Sequence, residues 1–208
     1  SGYTAANGVS GTITSNTYVY PYYDRNKYTL SWSGNGGSLS GGTSAGSVYY
    51  GAGLTAPSAS RTGYTFAGWS PSVPSTMPAS NATYTATWTA NTIKVNFNAN
   101  GGSLPGTGEG KSYVNIKYDT TVGNYPSISL PSRTGYSFTG YFDASSGGTQ
   151  YYNSAGNSVR TFNKTSETTL YAQWSLKYFT LSISSGSVTN YTISISKSST
   201  YGGTVGSY

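Results

Sequence analysis

The sequence predicts a mainly β protein, an elongated array of small tandem modules with little helix. Three observations carry that prediction. The phrase Arg61-Thr62-Gly63-Tyr64-Thr65-Phe66-Ala67-Gly68-Trp69 returns as Arg133-Thr134-Gly135-Tyr136-Ser137-Phe138-Thr139-Gly140-Tyr141, so one module is written at least twice. Large apolar residues recur at every second position in several short segments, the period of a strand with one buried face. No stretch keeps apolar residues at a 3.6-residue period for three turns, which leaves room for at most a short turn of helix after Tyr50 and after Tyr118.

The phrases recur in a fixed order. An opening strand reads Tyr28-Thr29-Leu30-Ser31-Trp32, then Ile93-Lys94-Val95-Asn96-Phe97, then Phe179-Thr180-Leu181-Ser182-Ile183. Asn35-Gly36-Gly37 and Asn100-Gly101-Gly102 come next, and Asn-Gly supplies the positive φ of a turn at small steric cost. A second strand ends in Val48-Tyr49-Tyr50-Gly51 or Val114-Asn115-Ile116-Lys117-Tyr118. The Arg-Thr-Gly-Tyr phrase then reads as a third strand, with Tyr64, Phe66 and Gly68 alternating. Tyr84-Thr85-Ala86-Thr87-Trp88 and Leu170-Tyr171-Ala172-Gln173-Trp174 close each module, their large, small and large residues pointing inward. The predicted boundaries are therefore 1–27, the second half of a module; 28–90 and 91–176, two complete modules; and 177–208, the first half of another. The second complete module is longer, and around Ser145 to Arg160 the segment Ser145-Ser146-Gly147-Gly148 reads as a loop insertion.

Composition narrows the function. The 208 residues include 22 Tyr, 4 Trp and 6 Phe against only 8% charged residues, so these small cores rest on aromatic side chains. The net charge of +6 comes from scattered residues that form no stripe, which argues against nucleic acid and allows weak attraction to an anionic cell-wall polymer. No apolar run approaches the roughly 18 residues of a membrane span. With no Cys and no His, the commonest nucleophiles, general bases and transition-metal ligands are missing. The five acidic residues, Asp24, Glu109, Asp119, Asp143 and Glu167, form no recurring pair. The reading is a protein without catalytic residues, metal or cofactor.

Laid in order, the strand, the Asn-Gly-Gly turn, the Arg-Thr-Gly-Tyr-x-Phe-x-Gly-aromatic phrase and the closing aromatic strand resemble the internalin-type B-repeat family over nearly the whole chain. The resemblance implies a ubiquitin-like β-grasp module with little helix. It also implies an extracellular setting on the bacterial surface, where tandem repeats link an adhesive head to the cell wall. Tyr141 departs from it, standing where the better-matching copy has Trp69.

Three pattern matches read as structure instead of chemistry. Pro105-Gly106-Thr107-Gly108-Glu109-Gly110-Lys111-Ser112 mimics a phosphate-binding loop, but Pro105 replaces the first Gly and a strand comes after it, so it reads as a Gly-rich loop. Ser194-Ile195-Ser196-Lys197 lies on an alternating strand without companion motifs. Leu130-Pro131-Ser132-Arg133-Thr134-Gly135 is the repeat phrase. Asn81, Asn163 and Asn190 stand in sequons that abundant Ser and Thr produce by chance, and Lys164 near Glu167 gives no repeated isopeptide pattern.

The expected function is a structural stalk, spacer or filament element supporting adhesion, whose partners are neighbouring modules or copies of the same protein. Its terminal half-modules are either a window cut from a longer repeat or halves that complete one another between chains. The alternative is a binding module in which outward Tyr49, Tyr151 and Tyr152 contact a host glycan or protein. In either case Asn35, Gly36, Gly37, Arg61, Gly63, Tyr64, Phe66, Gly68, Trp69 and Trp88 form the structural motif, repeated as Asn100, Gly101, Gly102, Arg133, Gly135, Tyr136, Phe138, Gly140, Tyr141 and Trp174.

Overall fold

The computed structural model describes residues 3–5 and 23–177. Of the predicted half-module 1–27 only residues 3–5 and 23–27 are described, and of 177–208 only residue 177; the Ser194 to Lys197 strand lies outside the described residues. The chain divides into two units, one ending at Asn91 and the other starting at Thr92. All regular structure among the described residues is strand.

In the first unit, β1 (Tyr3–Ala5) pairs antiparallel with β2 (Tyr23–Arg25). Residues 23–25, which the predicted boundaries place near the end of a half-module, are thus strand. The next elements are β3 (Lys27–Ser33), β4 (Ser38–Ser40), β5 (Gly46–Tyr49), β6 (Ser58–Ser60), β7 (Tyr64–Ser70) and β8 (Ala82–Ala90). Strands β4 and β6 form a small ribbon, and the others make one sheet in the order β5-β3-β8-β7. Its central pair, β3 with β8, is parallel, while both flanking pairs are antiparallel.

The second unit repeats that plan with β9 (Thr92–Asn98), β10 (Tyr113–Lys117), β11 (Tyr136–Phe142), β12 (Gln150–Asn153) and β13 (Thr168–Leu176). Its sheet runs β10-β9-β13-β11-β12, again with a parallel centre, β9 against β13. The fifth strand, β12, comes from the segment after Phe142. The expected loop insertion is therefore part sheet, with the turn 145–148 leading into a strand on the edge of β11.

Alternation in the closing strands buries the residues that the sequence places inward: Tyr84 and Ala86 in one copy, Leu170 and Ala172 in the other, with Trp88 and Trp174 half-buried. Around them the first unit packs Leu30 and Met77 with Trp32, Val48, Leu54 and Trp69. The second unit builds a larger core from Ile93, Val95, Phe97, Val114, Ile116, Tyr141, Tyr151, Tyr152, Phe162, Leu170 and Ala172. Full burial of side chains this size stabilises by about 1.5–3 kcal/mol each, which suits a small sheet without disulfides.

The third strand departs from simple alternation. In β7 the register against β8 shifts between Phe66 and Gly68, and β11 shifts against β13 between Phe138 and Gly140. A bulge adds one residue and reverses the facing of the residues beyond it. Phe66 and Trp69, three apart, consequently both pack inward, with ring centroids 5.5 Å apart, as do Phe138 and Tyr141 at 5.1 Å. Gly68, expected in phase with Tyr64 and Phe66, instead follows the unpaired Ala67 of the bulge, at φ +134°, and Gly140 follows the unpaired Thr139 at +147°.

Tyr151 and Tyr152 also correct the sequence reading. Expected to present a ring outward, both are buried, at 1% and 0% exposure. Tyr152 packs into the main core, 5.3 Å from Tyr125 and 6.0 Å from Phe97, and its hydroxyl donates to the Pro126 carbonyl at 3.3 Å. Tyr151 is covered by the segment after β12. Phe162 lies 6.1 Å away, the guanidinium of Arg160 sits over the ring, and the hydroxyl donates to Asn163 Oδ1 at 2.7 Å. The residues added to this repeat thus fold back over the extra strand, and alternation leaves no wet face there.

Candidate functional site

Asn35, Gly36, Gly37, Arg61, Tyr64 and Trp88, and their counterparts Asn100, Gly101, Gly102, Arg133, Tyr136 and Trp174, converge in each unit on one constellation at the end of the parallel strand pair, while Gly68, Trp69, Gly140 and Tyr141 belong to the bulge and the core. It begins with the turn. Asn35 and Gly36 adopt φ 46° and 84°, and Asn100 and Gly101 adopt 47° and 85°. Both central residues are left-handed, the geometry for which Asn-Gly is selected. The Gly37 amide donates to the Gly34 carbonyl at 2.9 Å, and the Gly102 amide to the Ala99 carbonyl at 3.0 Å.

Closing-strand residues hold this turn. The indole N–H of Trp88 donates to the Gly34 carbonyl at 3.0 Å, and that of Trp174 to the Ala99 carbonyl at 3.0 Å. The Asn35 amide donates to the Ala86 carbonyl at 3.1 Å, and the Asn100 amide to the Ala172 carbonyl at 2.8 Å. Turn and strand are therefore cross-tied in both directions. Asn100 also donates to the Ser145 carbonyl at 2.7 Å, which ties the added loop of the longer repeat to the same point.

The Arg-Thr-Gly-Tyr phrase closes the arrangement. Arg61 lies over the ring of Tyr64 with its guanidinium carbon 3.9 Å from the centroid, and Arg133 lies over Tyr136 at 3.9 Å. The Arg61 guanidinium also donates to the Asn35 carbonyl at 3.3 Å. Gly63 and Gly135 are buried, and their carbonyls accept from the Asn91 and Lys177 amides just past each closing strand. Along the chain, the Asn-Gly-Gly turn and the Arg phrase are separate punctuation; in space they form one latch. Their joint recurrence in the same order is the sequence signal for it.

The latch's chemistry is structural. Its amide and indole donors are engaged by backbone carbonyls. An open polar hollow of about 320 Å³ lies beside the second copy, lined by Gly101, Gly102, Ser103, Ser132, Arg133 and Thr134. Among the described residues, no group of three or more His, Cys, Asp or Glu side chains is placed to hold a metal ion.

Elsewhere, Asp143 and Lys164 form an ion pair at 3.0 Å that sequence reasoning missed. The Thr149 amide holds the Asp143 carboxyl below its ordinary range, with Lys164 adding to the effect, and the bond that the Lys164 ammonium donates to Asp143 raises Lys164 in turn. Lys164 therefore does not partner Glu167, which accepts from Asn96 at 2.7 Å and approaches Lys94 at 3.9 Å. Of the three tyrosines proposed to contact a ligand, Tyr49 alone is exposed, at 45%. Lys27 lies 4.5 Å and Arg25 5.3 Å from its ring centre.

Fold and latch together define a class: a mainly β protein of tandem modules, each built around its own core and the same internal tie. A family model for the Listeria-Bacteroides repeat domain matches residues 28–93 and again 94–173, more than half of the chain, and the chain belongs to that family. It is a bacterial surface repeat, present here in two tandem copies. No curated protein and no solved structure matches the chain.

Proposed function

We propose that this chain is a non-enzymatic, extracellular segment of a bacterial surface protein that acts as a stalk, spacer or filament element in adhesion. The observation that carries the reading is the duplicated latch, with equal Arg–Tyr and Trp–carbonyl distances in two units that each have a core of their own. Modules that tie their own turns and fill their own cores add reach by being repeated, as quasi-one-dimensional arrays do. Only Asn91 separates the closing strand of one copy from the opening strand of the next. The finer assignment to the internalin-type B-repeat and the β-grasp is supported by the shared sheet order, second-first-fourth-third, with a parallel centre. Residues 28–177 and a tandem duplicate of them provide the test by small-angle scattering. The maximum dimension is expected to nearly double; growth only as the cube root of mass sinks the stalk.

The second reading, recognition of a cell-wall polymer, host glycan or host protein, is favoured by Tyr49, exposed beside Arg25 and Lys27. An aromatic plane flanked by cations suits an acidic sugar or polyol phosphate.

A further inference from the structure

The two repeats differ at one sheet edge, and the difference exposes a docking position. In the second unit β11 is covered by β12, with Gly140 opposite Asn153, Tyr141 opposite Tyr152 and Phe142 opposite Gln150. In the first unit the matching strand, β7, is the outermost described strand of its sheet. Its segment after Ser70 does not return as a strand; residues 75–77 instead bond to 51–54, where the Met77 amide donates to the Ala52 carbonyl at 2.8 Å. The glycines report the same contrast. A Cβ on Gly140 would lie 2.3 Å from the Tyr152 carbonyl oxygen, whereas a Cβ on Gly68 would meet no described atom within 4 Å. Tyr141 is fully buried under its fifth strand, but Trp69, in the same register position, is only half-buried.

We propose that the Gly68–Ser70 edge of β7 binds an extended segment of another polypeptide as an added fifth strand, antiparallel, with an aromatic residue opposite Trp69. The occupant's chemistry is set by the sister repeat, where the strand Gln150-Tyr151-Tyr152-Asn153 fills the same edge and puts an aromatic ring opposite Tyr141. Backbone bonds supply the affinity in such additions, and alternate side chains supply selectivity. Three residues suffice: the native pair on β11 also spans Gly140 to Phe142, and the proline that blunts the edge, Pro71, comes after Ser70.

The experiment uses the full chain, isotopically labelled, and a synthetic peptide of the sequence of residues 148–155. Saturable backbone shifts are expected at Gly68, Trp69 and Ser70, with Gly140 to Phe142 unchanged because β12 already covers them. Two further peptides, N-methylated on alternate amides, separate strand addition from hydrophobic sticking. One set of amides faces β7 and the other faces away, so one peptide is expected to bind about tenfold more weakly than the other, the loss of a hydrogen bond or two. Equal binding by both, or no shift at Gly68 to Ser70, overturns the proposal. So do concentration-dependent shifts there without peptide, which would give the edge to a second copy, or an edge inaccessible until residues 6–22 are deleted.

Discussion

Trp174 occupies the space that a side chain on Gly102 would need. A Cβ built there would fall 2.6 Å from Trp174 Cζ2 and 2.6 Å from the Ser132 carbonyl oxygen, and the first repeat has the same conflict between Gly37 and Trp88, at 2.3 Å. The second glycine of the turn is thus required by close approach, unlike the first, whose positive φ is the constraint. Gly102→Ala is expected to destabilise the second unit by about 1–3 kcal/mol, the usual cost of overpacking. Chemical denaturation of the chain and of Trp174→Phe combined with Gly102→Ala checks the cause. Relief of the clash makes the double variant less destabilised than the sum of its singles; strict additivity would show that Trp174 is not what Gly102 avoids.

Asn100 serves the latch twice, by its left-handed backbone and by an amide that donates to two carbonyls. Asn100→Gly keeps the first role and loses the second, at an expected cost of about 1–2 kcal/mol for the lost bonds. Asn100→Asp tolerates the same φ but turns both contacts into oxygen facing oxygen, so it is expected to be the worse of the two at neutral pH. Thermal unfolding of both variants decides. Equal melting temperatures would mean that Asn100 is held for its backbone alone.

Where sequence and structure part company, local periodicity met a tertiary event. Strand order, the Asn-Gly turns and the inward positions of Tyr84, Ala86, Leu170 and Ala172 are legible because each depends only on a two-residue period or on backbone preference. The bulges at Gly68 and Gly140 are not, since an added residue reverses phase without leaving an apolar gap. Tyr151 is the clearest case. Its burial depends on Phe162 and Asn163 folding back from eleven and twelve residues downstream, a long-range contact that no local pattern encodes. The latch is intermediate: each component is visible as a repeat, but the indole bonds that join them span 54 residues in one copy and 75 in the other.

The tyrosines separate by role. Tyr151→Ala and Tyr152→Ala each empty a fully buried site, and losses of about 3–5 kcal/mol are expected, as for other large aromatic truncations. Tyr49→Ala removes an exposed ring and is expected to change stability by less than about 0.5 kcal/mol. If recognition runs through Tyr49, the same variant lowers retention on an acidic polymer at unchanged melting temperature. Retention equal to that of the parent chain would remove the binding reading, and a large stability loss would show Tyr49 to be packed.

The pH profile of the second unit is set by groups whose ionisation folding shifts. Asp143 is depressed, first by the Thr149 amide and then by Lys164. Its contribution is therefore present above the ordinary carboxylate range and is lost as pH falls through the lowered value. Lys164 is raised, first by its bond to Asp143, so its contribution holds at neutral pH and fades as pH climbs past the ordinary lysine range. Tyr125, Tyr141 and Tyr152 are raised by burial, since a phenolate in the core loses its water. Below about pH 10 these phenols are neutral in both states and impose no penalty. Above it the unfolded chain releases protons that the folded one retains, and stability must fall. Denaturation midpoints across pH are expected to form a plateau with an acid limb and an alkaline limb. Asp143→Asn should flatten the acid limb and leave the alkaline descent, which Tyr141→Phe should reduce. Tyrosinate absorbance rising in one step near pH 10, with native circular dichroism intact, would contradict the burial of those three hydroxyls.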